Sequence, residues 1–404
     1  MDKRMKILYI TPTFQHPALR GSYRHYYILR ELAKRHAITL LTLERAPIKE
    51  VALSEMQAIT EQVIIFKTNG STASAGQAIA KRLPLVGRPL AQQIGLRRSV
   101  EQMRQTLRRL ARDAQFDVLL FHGKDCYRAV EDWHDLPMVV DFCDATSFRI
   151  RTKMQHVNPV MAAALGLRYL QVRRVERKMV QATRQVAFIS QRDRDVILGP
   201  NSDAAVIPNG LDIDYWTRRS RAPQPNTVIF TGVMDYSPNE DAALRLVDNI
   251  LPHLRLLVPD VRLILAGRSP TPALVQRAQA HPDVTVTGFV EDLRDYLEQA
   301  AVFVAPLRFG AGMQNKLQEA LAMEIPIVTT SIAAQGLRVG DGVEAPVCVA
   351  DEDEGFARRV ADLLQRPEEQ ARLAAQGRAF AAQHFSWTRS AAQFEQMCLA
   401  AVGA

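Results

Sequence analysis

Two periodicities of apolar and polar residues take turns along this chain. Short, mostly apolar runs recur at 6–11, 37–42, 62–67, 118–121, 138–142 and 185–189. Their length and their Val, Ile, Leu and Phe content predict buried strands. Between them lie longer stretches, such as 23–35 and 158–183, whose apolar positions fall three and four apart and predict amphipathic helices. The order restarts in the second half, with strands at 228–231, 262–266, 284–287, 302–305 and 327–330 and helices at 241–257, 271–280, 293–300 and 314–323. Strands that alternate with helices predict an α/β architecture of parallel sheets covered on both faces.

A length of 404 residues is about twice that of a common domain, so two doubly wound domains are expected, one over 1–206 and one over 227–385. Residues 207–226, rich in turn-forming Pro, Gly and Asn, read as the linker. Two such domains face each other across a cleft, and ligands sit at the carboxyl ends of their strands.

Composition narrows the class. The chain is 47% hydrophobic and 23% charged, as expected of a folded globular protein. No run approaches the roughly 18 apolar residues that a membrane span requires. The opening apolar run Ile7-Leu8-Tyr9-Ile10 is too short for a signal-peptide core, so a cytoplasmic protein is expected. Four cysteines, Cys126, Cys143, Cys348 and Cys398, show no CxxC spacing and read as buried free thiols.

The net charge is +8, and nine basic residues against one acid fall between Lys81 and Arg112. From Val100 onward apolar positions recur at helical spacing there. Two readings stand: a basic amphipathic surface that meets an anionic membrane, or a helix that packs on its own domain. No nucleic-acid-binding motif accompanies the charge, so nucleic acid is not expected as a partner.

The densest chemistry lies at 306–322. A strand ends, Gly310-Ala311-Gly312 turns, Met313 follows, and a helix opens with Lys316 and Glu319. Glycines at a helix N-terminus expose backbone N–H groups to an anion, and Lys316 can reach the same anion. Glu319 suits the hydroxyls of a ribose. Arg308 is a further candidate cation.

This segment resembles the donor-site helix of the family-four retaining glycosyltransferases, which have the GT-B fold. Glu319-Ala320-Leu321-Ala322-Met323 and Ile325-Pro326-Ile327-Val328-Thr329 look like the family's second glutamate and next strand. Ile207-Pro208-Asn209-Gly210-Leu211-Asp212 resembles its linker. Leu265-Ala266-Gly267, followed by Arg268, resembles the turn beside the nucleotide, and Val286-Thr287-Gly288-Phe289-Val290 the turn that reads the base. His384-Phe385-Ser386-Trp387 resembles the start of the terminal helix, over 386–404, that crosses back to the first domain. The resemblance implies a nucleotide-sugar donor, a retaining transfer and no essential metal; no Asp-x-Asp motif ends one of the strands read above.

The departures are specific. Ala311 stands where the family's first glutamate, eight positions before Glu319, touches the donor sugar. After Gly232 the family often carries an arginine and a lysine, and here the run is Val233-Met234-Asp235-Tyr236-Ser237-Pro238-Asn239. A subset associated with bacterial exopolysaccharide clusters looks similar, which implies a variant donor site.

In the first domain Gly21-Ser22 precedes a helix and reads either as an approach to phosphate or acceptor or as an ordinary cap. Asp141 and Asp144 end a strand. Asp144 is the candidate catalytic residue that orients an acceptor hydroxyl or takes its proton, while Asp141 suits the acceptor side or a turn cap. His122 is expected to line the cleft. With Lys316 stabilising the leaving diphosphate, the expected activity is sugar transfer to a glycan or lipid-linked acceptor in bacterial surface polysaccharide synthesis. A non-catalytic nucleotide-sugar-binding partner and a sugar-nucleotide epimerase remain the alternatives.

Overall fold

The computed structural model describes residues 4–19, 23–68, 87–113, 116–155, 157–219, 222–310, 313–339 and 343–403. Its first half forms a seven-stranded sheet of β1 (Lys6–Thr11), β2 (Ala37–Glu44), β3 (Gln62–Lys67), β4 (Val118–His122), β5 (Met138–Phe142), β6 (Gln185–Phe188) and β7 (Ala205–Val206). The strand order is β3-β2-β1-β4-β5-β6-β7, and every pair is parallel. The second half forms a six-stranded parallel sheet of β8 (Thr227–Thr231), β9 (Arg262–Ala266), β10 (Val284–Gly288), β11 (Val302–Ala305), β12 (Ile327–Thr329) and β13 (Cys348–Val349). Its order is β10-β9-β8-β11-β12-β13.

Strand alternation sends successive side chains to opposite faces, and in the first sheet both faces are buried. Leu8, Ile10, Leu119 and Phe121 pack against Val100, Met103 and Leu107 of the helix Gly87–Asp113. On the other face Ile7, Tyr9 and Leu120 pack against Ile28, Leu29 and Leu32 of the helix Arg24–Ala33. Ala391, Phe394 and Cys398 of the terminal helix Trp387–Gly403 join that second layer. The chain therefore returns from the second half to complete the first.

The linker and the terminal helix cross in close contact. A Cβ on Gly210 would stand 2.2 Å from the Trp387 nitrogen, so only glycine fits beneath the helix. Leu211 N–H donates to the Phe385 carbonyl at 3.0 Å, and Ser390 Oγ donates to the Pro208 carbonyl at 2.8 Å. These contacts tie both halves at one point.

The basic segment between Lys81 and Arg112 takes the packing reading over its described part. Val100, Met103 and Leu107 point into the core, so its helical apolar spacing belongs to the domain interior. Lys81 and Arg82 lie outside the described residues. Among the described residues, no helix is long and apolar enough to cross a membrane.

Candidate functional site

Each sheet reverses its strand order once, between β1 and β4 and between β8 and β11. A crevice opens at each of these switch points, as doubly wound sheets dictate.

The crevice in the second half is a cavity of about 580 Å³ walled by the turns after β8 and β9 and by the helix Asn315–Ala322. Gly232 and Gly267 let the two turns touch backbone to backbone. Gly267 has φ +146°, and a Cβ there would fall 1.8 Å from the Gly232 carbonyl oxygen. A Cβ on Gly232 would stand 2.6 Å from Asn239 Nδ2 and 3.3 Å from Lys316 Nζ. Bare backbone at both positions keeps room for the lysine.

Lys316 and Glu319 line this cavity from the helix's first turns. Lys316 Nζ donates to Asn239 Oδ1 and lies 4.4 Å from the centre of the Phe230 ring. Asn239 Nδ2 donates to the Val233 carbonyl at 3.0 Å, which fixes the amide with its oxygen toward the lysine. Desolvation pulls the Lys316 ammonium down to about 7, against the attraction of Glu319. It pushes the Glu319 carboxyl up to about 7, against Lys316. Burial thus draws both groups toward neutrality, and an anion beside Lys316 would favour its charged form.

Arg268, Phe289, Val290 and Met313 line the same cavity, as do Gly232, Gly267, Lys316 and Glu319. Gly310 sits in the turn before the helix with φ +151°. Ala311 and Gly312 lie outside the described residues. Arg308 takes a different place: its guanidinium is held by Asp241, with Nε 3.0 Å from Oδ2. Asn239 and Asn315, which lie within the quoted runs but were not singled out, and Tyr23 and Trp216 also wall the cavity. Tyr23 comes from the first half, so the second half's cavity is closed partly by the first.

The crevice at the first switch point is smaller, about 310 Å³, lined by Pro12, His25, Gly123, Lys124, Cys143, Asp144 and Glu176 among others. Asp144 faces it, with Lys124 Nζ at 3.7 Å and Arg149 Nη2 at 3.4 Å from its oxygens. Thr146 Oγ1 donates to it at 2.6 Å. Burial raises its carboxyl, but Lys124 and Arg149 outweigh that and hold it below its usual range.

Asp141 and His122 do not face the crevice. Both side chains are fully buried. Asp141 accepts from Arg24 Nε and Nη2, each at 2.8 Å, and pairs with His122 Nδ1 at 2.7 Å. Burial works against ionisation, yet Arg24 and His122 hold the Asp141 carboxyl well below its usual range. Asp141 is thus the counter-ion of a buried arginine, neither a turn cap nor an acceptor contact. His122 is a wall behind it, kept below its ordinary range by burial. Gly21 and Ser22 lie outside the described residues.

His25, His122, Asp141 and Cys143 bring four donor atoms within 4.8 Å of one another. Arg24 already engages both Asp141 oxygens, so a cation there would face a guanidinium at contact distance. Burial lifts the Cys143 thiol well above its ordinary range and drops His25 well below, leaving both neutral. The set is a hydrogen-bonded polar core, with His25 Nε2 3.2 Å from Cys143 Sγ.

Arg24 carries the missing link between the two crevices. Its Nη1 donates to Asn209 Oδ1 at 3.0 Å and its Nη2 to the Ile207 carbonyl at 2.9 Å. Asn209 Nδ2 donates to Asn315 Oδ1 at 2.8 Å, beside Lys316, and Gln318 Nε2 reaches the Asn209 carbonyl at 3.1 Å. A continuous path of side chains joins Asp141 to the helix that bears Lys316. One sequence signal pointed to Arg24: it falls on the buried stripe with Ile28 and Leu32, where a charge needs a partner.

Known proteins are similar to this chain in sequence over its second half and in overall fold. Residues 225–366, most of the second half, match the family model described as "Glycosyl transferases group 1". Glycogen synthase of Mycobacterium tuberculosis is 28% identical over 243 residues, covering 57% of this chain and 58% of that protein. Phosphatidyl-myo-inositol mannosyltransferase of the same organism is 29% identical over 205 residues, 48% of this chain and 53% of the other. The chain thus spans somewhat over half the length of these curated relatives. Among solved structures, Anabaena HepE in complex with UDP superposes with a TM-score of 0.64 at 14% identity, covering 98% of this chain and 100% of that one. Sucrose-phosphate synthase of Thermosynechococcus elongatus superposes with a TM-score of 0.67 at 15% identity, covering 98% of each. The fold is GT-B: two Rossmann-like halves with a terminal helix that crosses back.

Proposed function

We propose that this protein is a retaining glycosyltransferase that moves a sugar from a nucleoside-diphosphate sugar to a hydroxyl of a glycan or lipid-linked acceptor. The observation that carries the reading is the Lys316–Glu319 pair in a cavity at the β8–β11 switch point. In this reading Lys316 meets the diphosphate, helped by the N-terminal end of its helix, and Glu319 accepts from the ribose hydroxyls. The base stacks near Phe289 and Val290. A side-chain cation at the diphosphate makes a metal unnecessary to this scheme.

Asp144 stands across from the donor, held ionised by Lys124 and Arg149. So stabilised a carboxylate is a weak base, and it serves to orient the acceptor hydroxyl. As the bond from anomeric carbon to diphosphate oxygen breaks, the acceptor oxygen bonds to the same face. Its proton passes to the departing diphosphate, and the configuration is retained. The match to the mannosyltransferase of a phosphatidyl-inositol supports a lipid-linked acceptor, and a 28% match to Bacillus subtilis EpsD, a putative glycosyltransferase, over 31% of this chain supports a role in surface polysaccharide. We place this work in the cytoplasm, at the membrane face.

The HepE complexes with UDP and with UDP-glucose favour uridine donors for the first assay. UDP release from UDP-glucose is followed with and without candidate acceptor lipids. Turnover that Lys316→Ala abolishes supports the reading. Tight binding with no turnover on any acceptor favours a non-catalytic partner, and neither binding nor turnover with uridine, guanosine or adenosine donors removes the reading.

A further inference from the structure

The helix Pro159–Gln181 has two halves in opposite surroundings. In the C-terminal half Glu176 and Met179 face inward and line the first crevice, and Glu176 Oε1 accepts the Ser147 N–H at 3.0 Å. In the N-terminal half Val160 is 83% exposed, and Leu167 and Leu170 are each 64% exposed. Ala163 and Ala164 are exposed beside them. With 3.6 residues per turn these positions form one aliphatic stripe roughly 15 Å long, continued by Arg174.

The surrounding charge says what covers this stripe. From Arg149 to Val175 the chain carries six cations (Arg149, Arg151, Lys153, Arg168, Arg173 and Arg174) and no Asp or Glu; Arg149 is held by Asp144 and Arg173 donates to the Val196 carbonyl, while Arg151, Arg168 and Arg174 are exposed. Two copies of such a surface would repel each other. A surface that takes both aliphatic side chains and cations is an anionic bilayer, with acyl chains below and phosphates above.

We propose that the first half of this helix docks on an anionic membrane, with Val160, Leu167 and Leu170 in the headgroup layer and Arg168 and Arg174 beside lipid phosphates. The same helix then runs from the bilayer to the crevice that Asp144 faces. A molecule anchored in the membrane reaches that crevice without leaving the lipid. The contact rests on the membrane-face reading proposed above and gives it a surface; vesicle binding needs no nucleotide, so its failure is distinguishable from failure of the donor site.

The test is flotation of the full chain with phosphatidylcholine vesicles, alone or with about 30% phosphatidylglycerol, in low salt. The expected result is binding to the anionic vesicles only, reduced roughly tenfold or more in the double variant Leu167→Glu/Leu170→Glu. Both positions are exposed, so the variant should keep the thermal unfolding midpoint and the UDP affinity of the parent. Undiminished binding of that variant overturns the proposal. So does loss of binding in Arg108→Glu/Arg109→Glu alone, which would move the contact to the helix Gly87–Asp113. A dimer in sedimentation velocity that Leu167→Glu/Leu170→Glu dissociates would assign the stripe to a second copy of this chain and likewise overturn it.

Discussion

The two crevices hold charge in opposite ways. Behind the first, Asp141 receives three hydrogen bonds from Arg24 and His122, and all three side chains are buried. In the second, Lys316 and Glu319 have few partners, and desolvation draws each toward neutrality. A satisfied buried pair sets geometry, whereas an under-satisfied pair in an open cavity has binding energy to release when a ligand supplies the missing charge. The first cluster is therefore structural, although its carboxylate ends a strand where catalytic groups are sought. The second is the binding site that we propose.

Asp141→Asn should have the largest effect on the first cluster. It keeps the shape and strands the Arg24 guanidinium, and should cost about 3–5 kcal/mol of stability in urea unfolding. A change within the error of the midpoint would mean that Asp141 is not the counter-ion we describe. Because its carboxyl is held below the ordinary range, its contribution is present above the unfolded pKa and is lost as pH falls.

Lys316 behaves with the opposite sign. With its ammonium lowered to about 7, the empty site increasingly loses that proton as pH rises through neutrality. Nucleotide affinity should fall by about tenfold for each pH unit once deprotonation is complete, until the free lysine's range is reached. Proton uptake on binding at pH 8, read by calorimetry in buffers of different ionisation enthalpy, checks this. Lys316→Arg should make the profile shallower, as a guanidinium does not titrate there and only Glu319 is left to ionise near neutrality. A pH-independent affinity in the parent would show that the lysine is not underpaired.

Asn239→Ala should have the smallest effect. It removes the amide that aims Lys316, and UDP affinity should drop several-fold, about 1 kcal/mol, while the fold stays intact. No change would mean that the helix alone aims the lysine.

Much of this was legible in the sequence because apolar periodicity reports burial directly. β11 falls on its predicted residues, and Lys316, Glu319, Gly232 and Gly267 share one cavity as their motifs implied. β7 and β13 did not show because two residues carry no period. The roles of Asp141 and His122 were missed for a different reason. A strand-end carboxylate looks the same in sequence whether it faces a ligand or an arginine 117 positions away. Arg308 is the same case, an apparent free cation that has Asp241 as its partner. The helix between Lys81 and Arg112 shows a third limit: its spacing announced amphipathicity, but whether core or lipid takes the apolar face depends on the sheet beside it.

In the reading proposed here the second crevice binds a nucleoside diphosphate through Lys316. Calorimetric titration of the parent and Lys316→Ala with UDP, GDP and ADP, without added metal, decides whether it does. We expect one nucleotide to bind, with roughly 10–100-fold weaker affinity in the variant. Equal affinity in both proteins, or no binding of any nucleotide by the parent, would contradict it.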